Sequence, residues 1–190
     1  ILYPHESVNG TRKVVDIEKY PISKKYLTKH KEVLSSRTYV IEAGRKWYEI
    51  WVPHDPLLWE QPKIIFRDIS EKPTFWLDTE GTVVNGDCYW FVVDKNNPNL
   101  SWLALAVSNS SFIENFYDKK FNNKLYSGRR RFITQYVEQF PLPDPSTDLS
   151  RNIVEMAKTI YDRTGKLDTS ILENELDNLI WDSFGVSRPN

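Results

Sequence analysis

One cysteine, three histidines and seven glycines are spread over 190 residues, and each scarcity removes a class of chemistry. Cys88 has no partner for an internal disulfide and lies in an apolar run beside Tyr89, where a small buried residue is expected. His5, His30 and His54 are far apart, so with a single cysteine no metal-ligand spacing exists. His30 reads as part of a helix surface and His54 as part of a Pro53–Pro56 turn. No two glycines flank a single residue, which leaves no glycine-rich loop for a phosphate or for S-adenosylmethionine. No two prolines are adjacent, so the Asn/Asp-Pro-Pro-aromatic element of amino-methyltransferases is missing too. No apolar run approaches the roughly 20 residues that cross a bilayer. The start, Ile1-Leu2-Tyr3-Pro4-His5, has no basic-then-apolar leader. It reads as a cut inside a longer protein, and a cytoplasmic location is expected.

Positive charge is present and concentrated. Six of the thirteen residues from Lys119 to Arg131 are basic (Lys119, Lys120, Lys124, Arg129, Arg130, Arg131) and none is acidic, in a chain of formal charge −1. Residues 1–136 hold 20 Lys and Arg against 16 Asp and Glu; residues 137–190 hold 5 against 10. Phe121, Tyr126 and Phe132 interleave the block with rings. Cations alternating with flat apolar surfaces suit a polyanion with stackable bases, whereas an ordinary solvated loop would need only the charge.

The apolar pattern changes along the chain. Tyr26, Leu27, His30 and Leu34 fall at helical spacing and predict a basic amphipathic helix over 22–36. Between 38 and 93, runs of β-branched and aromatic residues predict strands at 38–41, 47–52, 63–67, 74–77 and 88–93. Gly81 and Asn85-Gly86 supply turn signals between the last two. Trp47, Trp51, Trp76 and Trp90 are expected in the core. A buried helix follows over 99–117 with a polar interruption at 108–111, and 132–140 fits a strand or a short helix equally. Pro141, Pro143 and Pro145 end that region. Beyond them, Leu149, Ile153, Met156 and Ile160 mark one helix. Leu172, Leu176, Leu179 and Ile180 mark a second, opened by Ser170 with Glu173 at capping-box spacing. Gly165 and Gly185 are expected stops. The fold class is mixed α/β, with a largely antiparallel body. Its expected parts are a linker segment (1–36), a body (37–145) and a C-terminal helical hairpin (146–190).

Complete catalytic constellations are missing. Asp118-Lys119-Lys120 matches the acidic-x-Lys triplet of many restriction nucleases, but it follows a predicted helix and not the strand that chemistry uses. Glu173 and Asp177, four apart on a helix, read as a water-facing pair.

The order of segments is distinctive. Pro62-Lys63-Ile64-Ile65-Phe66-Arg67-Asp68-Ile69-Ser70 is followed by Phe75 and Asp78-x-x-Gly81, then by Leu103-Ala104-Leu105-Ala106-Val107-Ser108-Asn109-Ser110, and finally by Gln139-Phe140-Pro141-Leu142-Pro143. The series resembles the TaqI-like C-terminal specificity domain, the target-recognition domain of adenine-specific DNA methyltransferases, including combined restriction–modification enzymes of type IIG-like organisation. Tyr20-Pro21 and Tyr26-Leu27-x-x-His30-Lys31-x-x-Leu34-x-x-Arg37 look like the helix that joins such a domain to its catalytic half. Leu172 to Val186 is similar to the closing helix, with Ser183-Phe184-Gly185-Val186 where Leu-Tyr-Gly-Leu is usual. The resemblance covers nearly the whole chain through individually loose motifs.

This resemblance implies duplex DNA as partner, held between the chain and an N-terminal methyltransferase domain that carries S-adenosylmethionine and receives a flipped adenine. The chain itself would hold no cofactor, no metal and no catalytic residue. Forked donors suit base edges, so Arg129, Arg130 and Arg131 are the first candidates, with Gln135 as an adenine reader. Lys119, Lys120 and Lys124 suit phosphates. Arg67 is either a further contact or an ion pair of Asp68. Two alternatives stay open: a protein-interaction module docking through the acidic hairpin, and a metal-dependent nuclease using Asp118.

Overall fold

The computed structural model describes residues 1–84 and 86–189; Asn85, one of the expected turn residues, lies outside them. The fold is mixed α/β with short antiparallel strands, as the alternating patterns imply. Two compact units form, Ile1–Glu60 and Gln61–Asn190. The unit limit thus falls at 60/61, and the helical hairpin expected from 146 onward is part of the second unit.

The first unit opens with a hairpin the apolar pattern did not reveal. Strands β1 (His5–Val8) and β2 (Thr11–Val14) pair antiparallel around Asn9 and Gly10, at φ 53° and 70°. Asn-Gly is the pair best suited to two successive left-handed positions, so the signal was in the sequence. Three short helices follow: α1 (Pro21–Thr28), α2 (Lys31–Ser35) and α3 (Thr38–Glu42). The single helix expected over 22–36 is therefore two, interrupted where His30 leaves helical geometry at φ −109°, ψ 12°. Residues 38–41 are helical and 47–52 form no strand, contrary to their β-rich composition. Arg37 explains part of this: its guanidinium donates to the Leu34 and Trp47 carbonyls and ties off the segment as a turn. β propensity measures fit to a neighbouring strand, and these residues have none to pair with. Trp51 is half exposed, edge-on to Tyr39, while Trp59 is the buried tryptophan of this unit.

In the second unit, β3 (Lys63–Arg67), β4 (Ile69–Ser70), β5 (Phe75–Asp78) and β6 (Cys88–Val92) follow in order, and β3 is the centre of a β5-β3-β6 antiparallel sheet. Alternation places Ile64, Phe66, Phe75 and Leu77 in one core with Leu105, Tyr117 and Phe132. Lys63 faces Asp78 in register and lies fully buried, its Nζ 2.5 Å from Oδ2. Burial alone would raise the Asp78 carboxyl, but the Lys63 ammonium and the Thr82 amide and hydroxyl outweigh it and hold the pKa below the usual range. Trp76 is half exposed, stacked on Tyr161, and Cys88 is only partly buried.

The helix expected over 99–117 is α4 (Pro98–Ser108) followed by α5 (Ser111–Lys120). Asn109 makes the break useful: its Oδ1 accepts from Phe75 N at 2.8 Å and its Nδ2 donates to Phe75 O at 3.0 Å, locking the helix end to β5. Ser110 then caps α5 by accepting from Ile113 N. Past the basic block come β7 (Arg130–Arg131), paired with β4, and α6 (Thr134–Val137), which settles 132–140 as a short helix after a buried Phe132. Helices α7 (Asp148–Arg163) and α8 (Ser170–Ser183) pack Ile153, Val154, Ala157 and Ile180 against Leu103, Val107 and Ile113 in a second core. Thr169, not Ser170, is the residue before α8, and its hydroxyl donates to Glu173 at 2.5 Å.

Candidate nucleic-acid interface

The basic block is carried by the end of α5, a hairpin loop and β7, and the closing helix fixes the start of α5. Asp177 on α8 accepts from the Ser111 amide (2.7 Å) and hydroxyl (2.5 Å) at the start of α5, and Trp181 Nε1 donates to the same hydroxyl. Phe112 and Phe184 stack with centroids 3.9 Å apart. Asp177 also pairs with Arg188, so it is a joint and not the water-facing residue its spacing suggested.

Arg130 is the keystone of the block. It is 6% exposed, and its Nε and Nη2 donate to the two Asp118 oxygens at 2.6 and 2.7 Å. Nη2 also lies 2.9 Å from Glu114, and Nη1 donates to the Glu71 carbonyl. The bonds from Arg130 hold the Asp118 carboxyl below its ordinary pKa against the opposing effect of burial, with Lys124 at 2.8 Å adding to them. Asp118 is thus the counter-ion of two cations on a helix, a different setting from the strand-borne metal ligand of a nuclease.

The aromatic residues divide as sharply. Phe132 is buried, Phe121 is half-buried against Tyr136, and Tyr126 stands 89% exposed. Beneath them Tyr117 is buried and donates its hydroxyl to the Arg131 carbonyl at 2.7 Å. Burial pushes its phenol up to about 12.

The remaining candidates lie at the surface. Arg131 forks onto Asp68 (3.1 and 3.3 Å) with its side chain about half exposed. The Asp68 partner is therefore Arg131 and not the adjacent Arg67, which is exposed on β3. Lys119, Lys120, Arg129 and Arg67 are exposed and, among the described residues, have no carboxylate within 4.0 Å. The Lys120 ammonium lies over the Phe116 and Phe121 rings. Gln135 is exposed on α6. The structure therefore leaves Lys119, Lys120, Lys124, Arg129 and Arg131 exposed at the end of α5, on the loop after it and on β7, and withdraws Arg130 from the surface. Spacing could not show which of three adjacent arginines faces inward; that follows from Asp118 and Glu114 lying on one face of α5.

Residues 13–142 match the model of the TaqI-like C-terminal specificity domain. The chain belongs to this family. Lys63, Asp68, Asp78 and Asn109, four of the polar residues in the segments that carry the resemblance, are joints of the fold described above. This specificity domain is also 42% identical, over 99% of its length, to the Type II methyltransferase M.BanIII of Aneurinibacillus aneurinilyticus. It is 23% identical over 76% of its length to the Type II methyltransferase M.PaeR7I of Pseudomonas aeruginosa. The chain spans 33% of the first relative and 25% of the second.

Proposed function

We propose that the chain recognises a duplex DNA sequence on behalf of an adenine-specific methyltransferase of a restriction–modification system. The observation that carries this is the 42% identity over 99% of the chain to a relative named as a type II methyltransferase. The exposed groups agree in chemistry: Lys119, Lys120 and Arg129 are cations with no carboxylate within 4.0 Å among the described residues, and the forked Arg131 and the amide of Gln135 are exposed in the same stretch of chain. Lys119, Lys120 and Lys124 meet phosphates and fix the register, while Arg129, Arg131 and Gln135 read base edges. Arg131 leaves Asp68 for guanine or phosphate at little cost, because water largely screens an exposed ion pair.

Methyl transfer belongs to chain outside these residues. The described glycines offer no phosphate cradle; Gly10, Gly44, Gly81, Gly128, Gly165 and Gly185 each take positive φ in separate turns. This reading assigns S-adenosylmethionine to a further catalytic domain, in keeping with the 33% of the first relative that the chain spans.

The test is duplex binding against salt for the intact protein and for a Lys119/Lys120/Arg129→Ala variant. Loss of two to three phosphate contacts should flatten the slope of log K against log salt by about 2–3. An unchanged slope and affinity would move the DNA surface elsewhere. Retention of a partner protein with no DNA affinity would favour the interaction-module alternative.

A further inference from the structure

Leu125 N donates to Arg129 O at 2.8 Å and Lys124 bridges Arg130 antiparallel, so residues 125–129 form a closed loop. Its tip turns through two left-handed residues, Ser127 (φ 63°) and Gly128 (φ 71°). A non-glycine residue holds this geometry only when its surroundings impose it. Here the base is clamped by Arg130, whose bonds to Asp118 and Glu114 on α5 and to the Glu71 carbonyl anchor the loop on both sides. The tip itself touches little: a side chain at Gly128 would meet nothing within 4 Å. On this stiff, unpacked tip sits Tyr126, 89% exposed, whereas no other aromatic side chain of the described residues exceeds 55%. The phenol is flanked by the exposed Lys124 and Arg129, and residues 119–131 contain no acid.

A bare aromatic ring at the tip of a loop clamped at its base, with a lysine and an arginine close by in the chain, is complementary to one surface in particular: the face of a base whose backbone phosphates lie alongside. We propose that the Leu125–Arg129 loop enters a groove of bound duplex and that Tyr126 stacks on an opened base step, with Lys124 holding a flanking phosphate and Arg129 facing the neighbouring base edges. This rests on the DNA-recognition reading above and adds to it a wedge that makes recognition depend on how easily one step unstacks. Such a contact selects for deformable steps without hydrogen-bonding any base.

The experiment uses the intact protein, its Tyr126→Ala and Tyr126→Phe variants, and duplexes carrying 2-aminopurine at each position in turn. Fluorescence is read at saturating protein, so that affinity and unstacking separate. The wild type should brighten the probe at a step distinct from the methylated adenine, and Tyr126→Ala should abolish that signal alone. Affinity of Tyr126→Ala for intact duplex should fall about tenfold or more, in line with the loss of one base–aromatic stack. It should recover on a duplex with a mismatch at that step, and its salt slope should equal that of the wild type. Tyr126→Phe should behave as wild type, since the ring and not the hydroxyl makes the contact. Wild-type affinity and fluorescence in Tyr126→Ala would overturn the wedge while leaving DNA recognition intact. Failure of the wild type to bind any duplex would overturn both. Because Tyr126 is almost wholly in water, neither variant should alter the fold, which circular dichroism checks.

Discussion

Arg130→Ala should unfold the site without removing a DNA contact. The guanidinium is 6% exposed and makes bonds to Asp118, Glu114 and the Glu71 carbonyl. Truncation leaves two carboxylates facing a void. Breaking one side of a fully buried pair costs about 3–5 kcal/mol. Asp118 and Glu114 retain some water, with 21% and 29% side-chain exposure, which brings the expected loss to about 2–3 kcal/mol. For a chain of this size that is a fall in Tm of about 4–12 °C. The assay is thermal and urea unfolding of Arg130→Ala, Asp118→Asn and the double variant. The double should be less destabilised than the sum of the singles by about 1 kcal/mol or more, because the two side chains share one set of bonds. Arg129→Ala, one residue away, should leave Tm within about 1 °C while weakening DNA binding. Were Arg130→Ala to keep the wild-type Tm and lose only DNA affinity, Arg130 would be a reading residue and the placement argued above would be refuted.

Three further outcomes follow from the same geometry. Lys63→Met should cost about 3 kcal/mol by leaving buried Asp78 without its cation, and Lys63→Met/Asp78→Leu should recover much of it in urea unfolding. Asp78 and Asp118 both titrate below their unfolded values, so their stabilisation is complete above about pH 5 and disappears as pH falls through the folded pKa values; Asp78→Asn should flatten the acid limb of a stability–pH curve. Burial lowers His5 despite Glu49 at 3.2 Å, so the unfolded chain binds that proton first: the stability of the first unit should be full above about pH 7 and decline toward pH 5, and His5→Gln should lessen the decline.

The sequence exposed the periodic parts of this fold and hid the parts set by partners. Ile64/Phe66 and Phe75/Leu77 alternate because the sheet is packed on one face, and Leu149, Ile153, Met156 and Ile160 repeat because α7 lies on a core; both patterns are written in composition. Residues 38–41 and 47–52 carry the same β-rich composition, but among the described residues neither run pairs with a strand, and pairing with a distant segment leaves no local trace. The hairpin at Asn9-Gly10 had a local signal, masked by short polar strands. At the candidate site, the concentration of charge was legible and its orientation was not. Which arginine turns inward depends on Glu114 and Asp118, 12 to 16 residues away and on another element.

The segments that make the family recognisable are the ones that hold its body together. Lys63 with Asp78 ties β3 to β5, Asn109 ties the break between α4 and α5 to Phe75, and Asp68 receives the Phe132 amide on its carbonyl and Arg131 on its carboxylate. Lys63, Asp78 and Asn109 supply no hydrogen-bonding group that is both exposed and unengaged, so none of them can by itself distinguish one base pair from another; of the joints only Arg131, half exposed on Asp68, can also turn to a base. The other groups that could do so, Arg129, Gln135 and the Tyr126 ring, are exposed on a five-residue loop and on a one-turn helix whose other side, through Tyr136 and Val137, packs against the core. Changing them costs the fold little, whereas changing the joints costs several kcal/mol. On the DNA-recognition reading proposed above, such a domain would acquire a new target sequence by substitution at 126, 129 and 135, while buried Arg130 and Phe132 between them stay fixed with the scaffold. The same division explains why resemblance along the chain identifies what kind of protein this is and carries no information about which DNA sequence it reads.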